Sequence, residues 1–141
     1  MEVKLADNKT DLRPIAEVLN QLRPQFSVAT INKQIKSQMK NGYHIAYIED
    51  ANQVLCVAGF VVGEKLAWGK HVYVDDFVTN EASRSKGAGK AMVAWLKEFA
   101  REKGCQQLHL DSGVQRYMAH KFYLREGFII ASHHFSISPL D

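Results

Sequence analysis

The stretch from 70 to 111 constrains the fold more than any other. Residues 70–79 (KHVYVDDFVT) read as a long strand. A polar, glycine-containing loop, NEASRSKGAGK, follows and opens the clearest helix in the chain. Ala88, Ala91, Met92, Trp95, Leu96, Phe99 and Ala100 fall at i, i+3, i+4, i+7, i+8, i+11 and i+12, while Lys90, Lys97, Glu98, Arg101 and Glu102 take the other side. Gly104 stops the helix, and residues 107–111 (QLHLD) form the next strand. Strand, helix and strand in that order make a crossover unit, with parallel strands and a right-handed connection.

The rest of the chain must pack around that unit. Residues 2–6 suggest a short strand through Val3 and Leu5. Asp11 is a helix N-cap candidate, with Pro14 in the first turn and Ile15, Val18, Leu19 and Leu22 at helical spacing. Ile31, Ile35 and Met39 mark a second helix, closed by Gly42. Residues 43–49 and 53–62 predict a hairpin around Asp50-Ala51-Asn52, and Gly63-Glu64-Lys65 the next turn. The second hairpin strand is apolar on both faces, so it is expected at the sheet centre. Residues 115–126 predict a helix closed by Gly127, and the run Phe128 to Ser138 is extended, with a break near Ala131-Ser132. The pattern is α/β (α+β): a mixed central sheet of six to seven strands with about four helices on both faces. At 141 residues a single domain over 1–141 is expected.

Segment 84–90 (RSKGAGK) sits where a strand hands over to a helix. Glycines there let a ligand approach the backbone, and the first-turn amides present an anion site. Arg84, Lys86 and Lys90 add positive charge. Neither of two common phosphate loops fits. Arg84 stands five before Gly89, where GxxxxGK[ST] needs glycine, and Ala91 stands where it needs a hydroxyl. Met92 occupies the third glycine of GxGxxG. A helix start with solvated lysines is the plainer alternative.

The string RxxGxG, after a long strand and before an amphipathic helix, resembles the acetyl-CoA-binding motif of the GCN5-related N-acetyltransferase (GNAT) superfamily. Residues 119–128 (AHKFYLREGF) resemble its other hallmark, A-x-x-F-Y-x-x-x-G-F. The two are correctly ordered, with one strand between them, and the element order agrees over nearly the whole chain. The resemblance implies a GNAT-like acyl-CoA N-acyltransferase fold and acetyl-CoA as cosubstrate. It implies transfer of an acetyl group to a primary amine by direct attack on the thioester.

Site residues follow from the same resemblance. The amides of Ser85, Lys86, Gly87, Ala88, Gly89 and Lys90 would bind the pyrophosphate, with Arg84 at the loop entrance. Phe77, Val78 and Thr79 would pair with the pantetheine as an added strand does, at a bulge that opens a gap to the next strand. The Val78 amide would polarise the thioester carbonyl. Tyr123 would be the general acid for the leaving thiolate, since a phenol of pKa about 10 stays protonated at neutral pH. A core tyrosine beside Phe122 is the alternative. Asp75 and Asp76 fall on opposite faces by strand alternation, and two carboxylates in an apolar strand need water or a partner. Asp75 is the expected base, with Asp76 and Asp111 as substrate-binding groups; a loop cap or a lysine pair is the alternative for the latter two.

Composition narrows the partners. The charge is only +3, from 18 Lys+Arg against 15 Asp+Glu, too mild to predict nucleic-acid binding. No apolar run approaches the roughly 20 residues of a membrane span, and MEVKLADNKTDLR has no secretory h-region. Cys56 and Cys105 have no zinc spacing, and His133 and His134 are adjacent and diverge in a strand, so no metal is expected. The expected protein is cytoplasmic, acts on a small-molecule amine, and has no nucleic-acid or membrane partner; a homodimer stays open because many relatives are dimers. Acetylation of a protein lysine or N-terminus, and acetyl-CoA binding without turnover, are the alternative functions.

Overall fold

Among the described residues the alternating segments assemble into a five-stranded sheet in the order β1-β2-β3-β4-β5. The strands are β1 (Val3–Leu5), β2 (Tyr43–Asp50), β3 (Gln53–Lys65), β4 (Gly69–Thr79) and β5 (Gln107–Leu110). The first four run antiparallel, and β5 pairs parallel with β4. The helices are α1 (Arg13–Leu22), α2 (Val28–Met39), α3 (Ala88–Glu102) and α4 (Tyr117–Arg125). The structure, a computed structural model, describes residues 1–84 and 86–141. Its contacts divide into two compact units, Met1–Leu110 and Asp111–Asp141.

In the first unit, α1 and α2 cover one face of the sheet. Ile15, Val18, Leu19, Ile31 and Ile35 pack with Tyr43, Ile45, Val57 and Val78. Full burial of such a side chain contributes roughly 1.5–3 kcal/mol. Helix α3 covers the other face with Met92, Val93 and Leu96 fully buried. There the Phe60 ring lies 5.2 Å from Phe99 and 6.1 Å from Trp95. Along β3, therefore, Val57, Gly59 and Val61 share the α1/α2 face and Phe60 takes the α3 face. The β2–β3 turn puts Ala51 at φ 50° and Asn52 at φ 63°, the two positive values that match a hairpin to the strand twist.

Several expectations are corrected. The strand β3 continues to Lys65, so the turn moves to 66–68. Helix α1 starts after Leu12, and Asp11 Oδ1 accepts from Arg13 N at 3.1 Å. Asp11 thus satisfies a first-turn amide from one residue further out than a cap. Among the described residues the sheet has five strands rather than six or seven, and no strand is assigned over 128–138; the fold class is as expected.

The second unit contains α4 and that trailing run. Gly127 closes α4 at φ 98°, a value that favours glycine. Phe128 N then donates back to Tyr123 O at 3.0 Å. Among the described residues no helix is long and apolar enough to cross a membrane.

Candidate active site

One inserted residue shapes the site. The β3–β4 register shifts so that Gly59 opposes Asp76 while Phe60 opposes Val74, leaving Asp75 without an opposite number. That is a β-bulge, and it interrupts the alternation of faces. Tyr73 opposes Val61 and Asp76 opposes Gly59, so both lie on the α1/α2 face. Asp75, two residues after Tyr73, follows it there. The two carboxylates therefore share a face, where unbroken alternation would have separated them. Pairing of β4 with β5 ends at Val74–Leu110, one residue before the bulge.

The bulge also decides which amides point where. Asn80 N donates to Leu55 O at 2.8 Å. Hydrogen-bonded pairs recur at every second residue of an antiparallel ladder, so Val78 and Asp76 turn their N–H groups to Val57 and Gly59. Phe77 and Thr79 turn theirs the other way, to the side that β5 has left. The assignment of the carbonyl-polarising amide to Val78 is thereby corrected, because its donor faces β3.

Asp76 is firmly held. Arg23 Nε and Nη2 donate to its Oδ1 at 3.2 and 3.0 Å, and Tyr43 OH donates to its Oδ2 at 2.7 Å. Arg23 Nη2 also donates to the Asp75 carbonyl at 3.1 Å. Burial is the first cause, and the Asp76 charge the second, of a Tyr43 pKa far above its ordinary value. Asp75 titrates above the usual carboxylate range because burial disfavours its charge and Asp76 repels it, with Arg23 opposing both.

Local sequence explains this arrangement. Arg23 ends α1, and Asn20 Nδ2 fixes the following loop by donating to Phe26 O at 2.6 Å. Ser27 caps α2 by accepting from Thr30 N at 3.1 Å. A Cβ on Gly59 would overlap the Tyr43 hydroxyl and stand 2.8 Å from its Cε1. Glycine at 59 therefore lets the tyrosine cross β3 to reach Asp76. A cavity of about 100 Å³ opens beside them, walled by Leu19, Phe26, Ile31, Ile35, Thr30, Gln34 and Gln38 and bordered by Arg23, Tyr43 and Asp76.

Beyond β4 the chain is tied down before it reaches the glycine loop. Asn80 Nδ2 donates to Val54 O at 2.9 Å, and its Oδ1 accepts from Ala82 N at 3.0 Å. Gln21 Oε1 accepts from Glu81 N at 2.9 Å. Helix α3 then starts at Gly87, φ 83°, with no capping side chain and no acid in its first turn. The first intrahelical donor is Ala91 N, to Gly87 O at 3.0 Å, so the amides of Ala88, Gly89 and Lys90 have no acceptor within the helix. Arg84, Lys86 and Lys90 are exposed around them; Ser85 lies outside the described residues. This start suits a pyrophosphate: open amides, positive dipole end and three cations.

In the second unit, Tyr123 is buried on α4, its ring 5.5 Å from Phe122 and 5.6 Å from Phe128. Asp111 Oδ2 lies 3.3 Å from His134 Nδ1. The first unit thus gathers Asp75, Asp76, Phe77, Thr79 and the loop along one strand and its exit. Sequence reading missed Tyr43, Asn80, the role of Gly59 and the pairing of Arg23 with Asp76. A lone glycine inside an apolar strand is the available signal, since it often marks a bulge or a close approach.

A mixed sheet whose fourth strand loses its parallel neighbour at a bulge, then feeds a glycine loop and helix, defines an acetyltransferase fold. The sequence pattern of the Acetyltransferase (GNAT) family matches residues 12–128, and the chain belongs to that family. It is 26% identical over 137 residues to the uncharacterized N-acetyltransferase YhdJ of Bacillus subtilis (strain 168), covering 96% of each chain. It is 34% identical over 55 residues to the aminoalkylphosphonate N-acetyltransferase of Salmonella typhimurium, covering 39% of this chain and 36% of that one. Its fold matches the aminoglycoside N-acetyltransferase AAC(6')-Iy in complex with CoA at a TM-score of 0.85 and 14% identity, covering 99% of this chain and 96% of that one.

Proposed function

We propose that this N-acetyltransferase moves the acetyl group of acetyl-CoA to the primary amine of a small molecule. The observation that carries this reading is the bulge at Asp75. It puts two carboxylates on one face of β4 and turns the Phe77 and Thr79 amides toward the side β5 has left. Pantetheine amides would add there as a strand, and the pyrophosphate would lie on the α3 amides with Arg84, Lys86 and Lys90 around it.

An acceptor amine arrives as an ammonium and must lose a proton before it can attack. Asp75 takes that proton, directly or through water; its raised proton affinity makes it a better base than an ordinary carboxylate. Asp76, pinned by Arg23 and Tyr43, adds negative potential without moving. The amine nitrogen then bonds to the thioester carbon, and the carbonyl oxygen takes up the negative charge. That charge is stabilised by an amide of the exposed side of β4, Phe77 being the nearest to the bases. Collapse breaks the C–S bond, and the thiolate takes a proton from Tyr123, leaving an amide and coenzyme A. Asp111 is assigned to the acceptor side as a further negative group.

The cavity of about 100 Å³ bordering Asp76 suits a compact acceptor. The relative named for an aminoalkylphosphonate substrate supports a small molecule. A screen of polyamines, aralkylamines, amino acids, aminoglycosides and lysine peptides with acetyl-CoA tests this. Turnover of a small amine, lost in Asp75→Asn, is the expected result. Acetylated protein bands from a lysate with no small product would contradict it.

A further inference from the structure

The cavity beside Asp76 has two kinds of wall, and every residue around it belongs to the unit Met1–Leu110. On the strand side stands the Asp76 carboxylate, with Asp75 on the same face of β4. On the helix side stand hydrogen-bond donors. Arg23 uses Nε and Nη2 on Asp76 and on the Asp75 carbonyl, while its Nη1 has no partner among the described residues. Thr30 Oγ1 accepts from Ser27 Oγ at 2.9 Å, so its own proton is left to donate. Gln38 Oε1 accepts from Gln34 Nε2 at 3.1 Å, which leaves its amide nitrogen as a donor.

These groups set different demands on a ligand. The carboxylates take an ammonium. The unused edge of Arg23 needs an acceptor, because a charged donor closed off from water without one costs free energy. A protonated amine offers no acceptor, whereas an acid group offers charge-assisted ones. Arg23 offsets one of the two carboxylates, so one negative charge remains for one ammonium. A second ammonium on the same ligand would meet the guanidinium instead, and like charges so placed repel.

We propose that the acetyl acceptor is a compact zwitterion, a primary amine joined by a short carbon chain to a carboxylate or phosphonate. Its ammonium lies toward Asp75, and its acid group lies on Arg23 Nη1 with Thr30 and Gln38 as neutral donors. Arg23 Nη2 is 3.1 Å from the Asp75 carbonyl oxygen, so the two ends of the ligand bind close together and the chain between them is short. The apolar walls Leu19, Ile31 and Ile35 take its methylenes. A cavity of about 100 Å³ is small beside the roughly 300–1,000 Å³ of drug-sized ligand sites, which suits such a molecule. Arg23 thus holds Asp76 with one edge and selects the acceptor with the other. This substrate class rests on the acetyl-transfer reading above.

Steady-state kinetics with acetyl-CoA test it on matched acceptors. β-Alanine and aminoethylphosphonate carry the acid group; β-alaninamide and ethanolamine are neutral at that end. At least one acid should lead in kcat/KM by about tenfold or more, since the neutral amines leave the guanidinium edge unpaired. Whichever acid leads distinguishes carboxylate from phosphonate. Arg23→Gln should bring the acid-to-neutral ratio close to one, whatever the absolute rates. Gln38→Leu should reduce the ratio with the Arg23–Asp76 pair intact. Calorimetry on the coenzyme A complex reads acceptor binding without turnover. Neutral amines acetylated as fast as the acids, or a ratio unchanged in Arg23→Gln, overturn the zwitterion and leave acetyl transfer standing. An acid that binds and is never acetylated upholds the site and contradicts the transfer. Acids that neither bind nor react overturn the proposal.

Discussion

From Gly69 to Val74, β4 is a central strand, held by β3 on one side and β5 on the other. From Asp75 to Thr79 it keeps β3 and has parted from β5. The first half reads GKHVYV and the second DDFVT; one is structural, while the other carries the candidate bases. A single extra residue makes the difference. It reverses which amides face outward, brings two carboxylates to one face, and coincides with the end of the parallel ladder. A strand can thus contribute site groups from within a sheet, provided it changes register once.

The sharpest way to break this contrast is at the inserted residue. Asp75→Asn keeps the bulge and removes the base, so kcat/KM should fall by roughly 10²–10⁴. Calorimetry should show coenzyme A affinity nearly unchanged. An active Asp75→Asn would leave the bulge intact and the base assignment wrong.

Next in size is the glycine opposite the bulge. The Cβ of Gly59→Ala overlaps Tyr43, and forced overpacking of this kind costs about 1–3 kcal/mol. Denaturant melts should record that loss, and the Tyr43–Asp76 hydrogen bond should go with it. Gly63 lies on the same strand in the half where β5 is still present. A Cβ there meets only the edge of His71 at 3.3 Å, so Gly63→Ala should cost clearly less. Equal losses at both would erase the distinction between the halves.

Arg23→Gln tests the electrostatics. The guanidinium lowers the proton affinity of Asp75, against burial and Asp76, which raise it. Its removal should therefore raise the Asp75 pKa, and the acidic limb of the kcat/KM profile should move to higher pH. A limb that stays put or moves down would separate Asp75 from the rate. Linkage gives a companion sign. A carboxyl with a raised folded-state pKa favours folding at low pH and loses that contribution as pH rises from 3.8 through its folded value. Asp75→Asn should accordingly be slightly more stable than wild type at neutral pH.

The smallest effect is expected at Asn80, which fastens the end of β4. Loss of a capping side chain costs about 1 kcal/mol. Asn80→Ala should show a Tm decrease of a few degrees and a higher KM for acetyl-CoA.

Much of the fold was legible because periodicity records burial. Five of the seven residues in the apolar stripe of α3 are buried, joined by Val93, and the hairpin at Ala51-Asn52 and the parallel pairing of β5 with β4 stand as expected. The glycine loop was legible for a similar reason, since Gly87 occupies the left-handed position that opens α3. What alternation could not reveal was its own interruption. A bulge leaves no composition signal at Asp75, and without it both the faces of the carboxylates and the direction of the Val78 amide come out wrong. The strand count was less legible. Residues 128–138 carry a strand-like pattern, but a strand is defined by ladder hydrogen bonds, which a pattern does not encode, and five strands are described rather than six or seven.

Amide-resolved hydrogen exchange with and without coenzyme A tests the role of the second half of β4 most directly. Saturating coenzyme A should raise protection at Phe77 and Thr79, whose N–H groups face the side β5 has left, and change Val78 little, because its donor already faces Val57. Protection that rises at Val78 and not at Phe77 and Thr79, or no response anywhere along 75–79, would contradict the assignment of this strand as the pantetheine site.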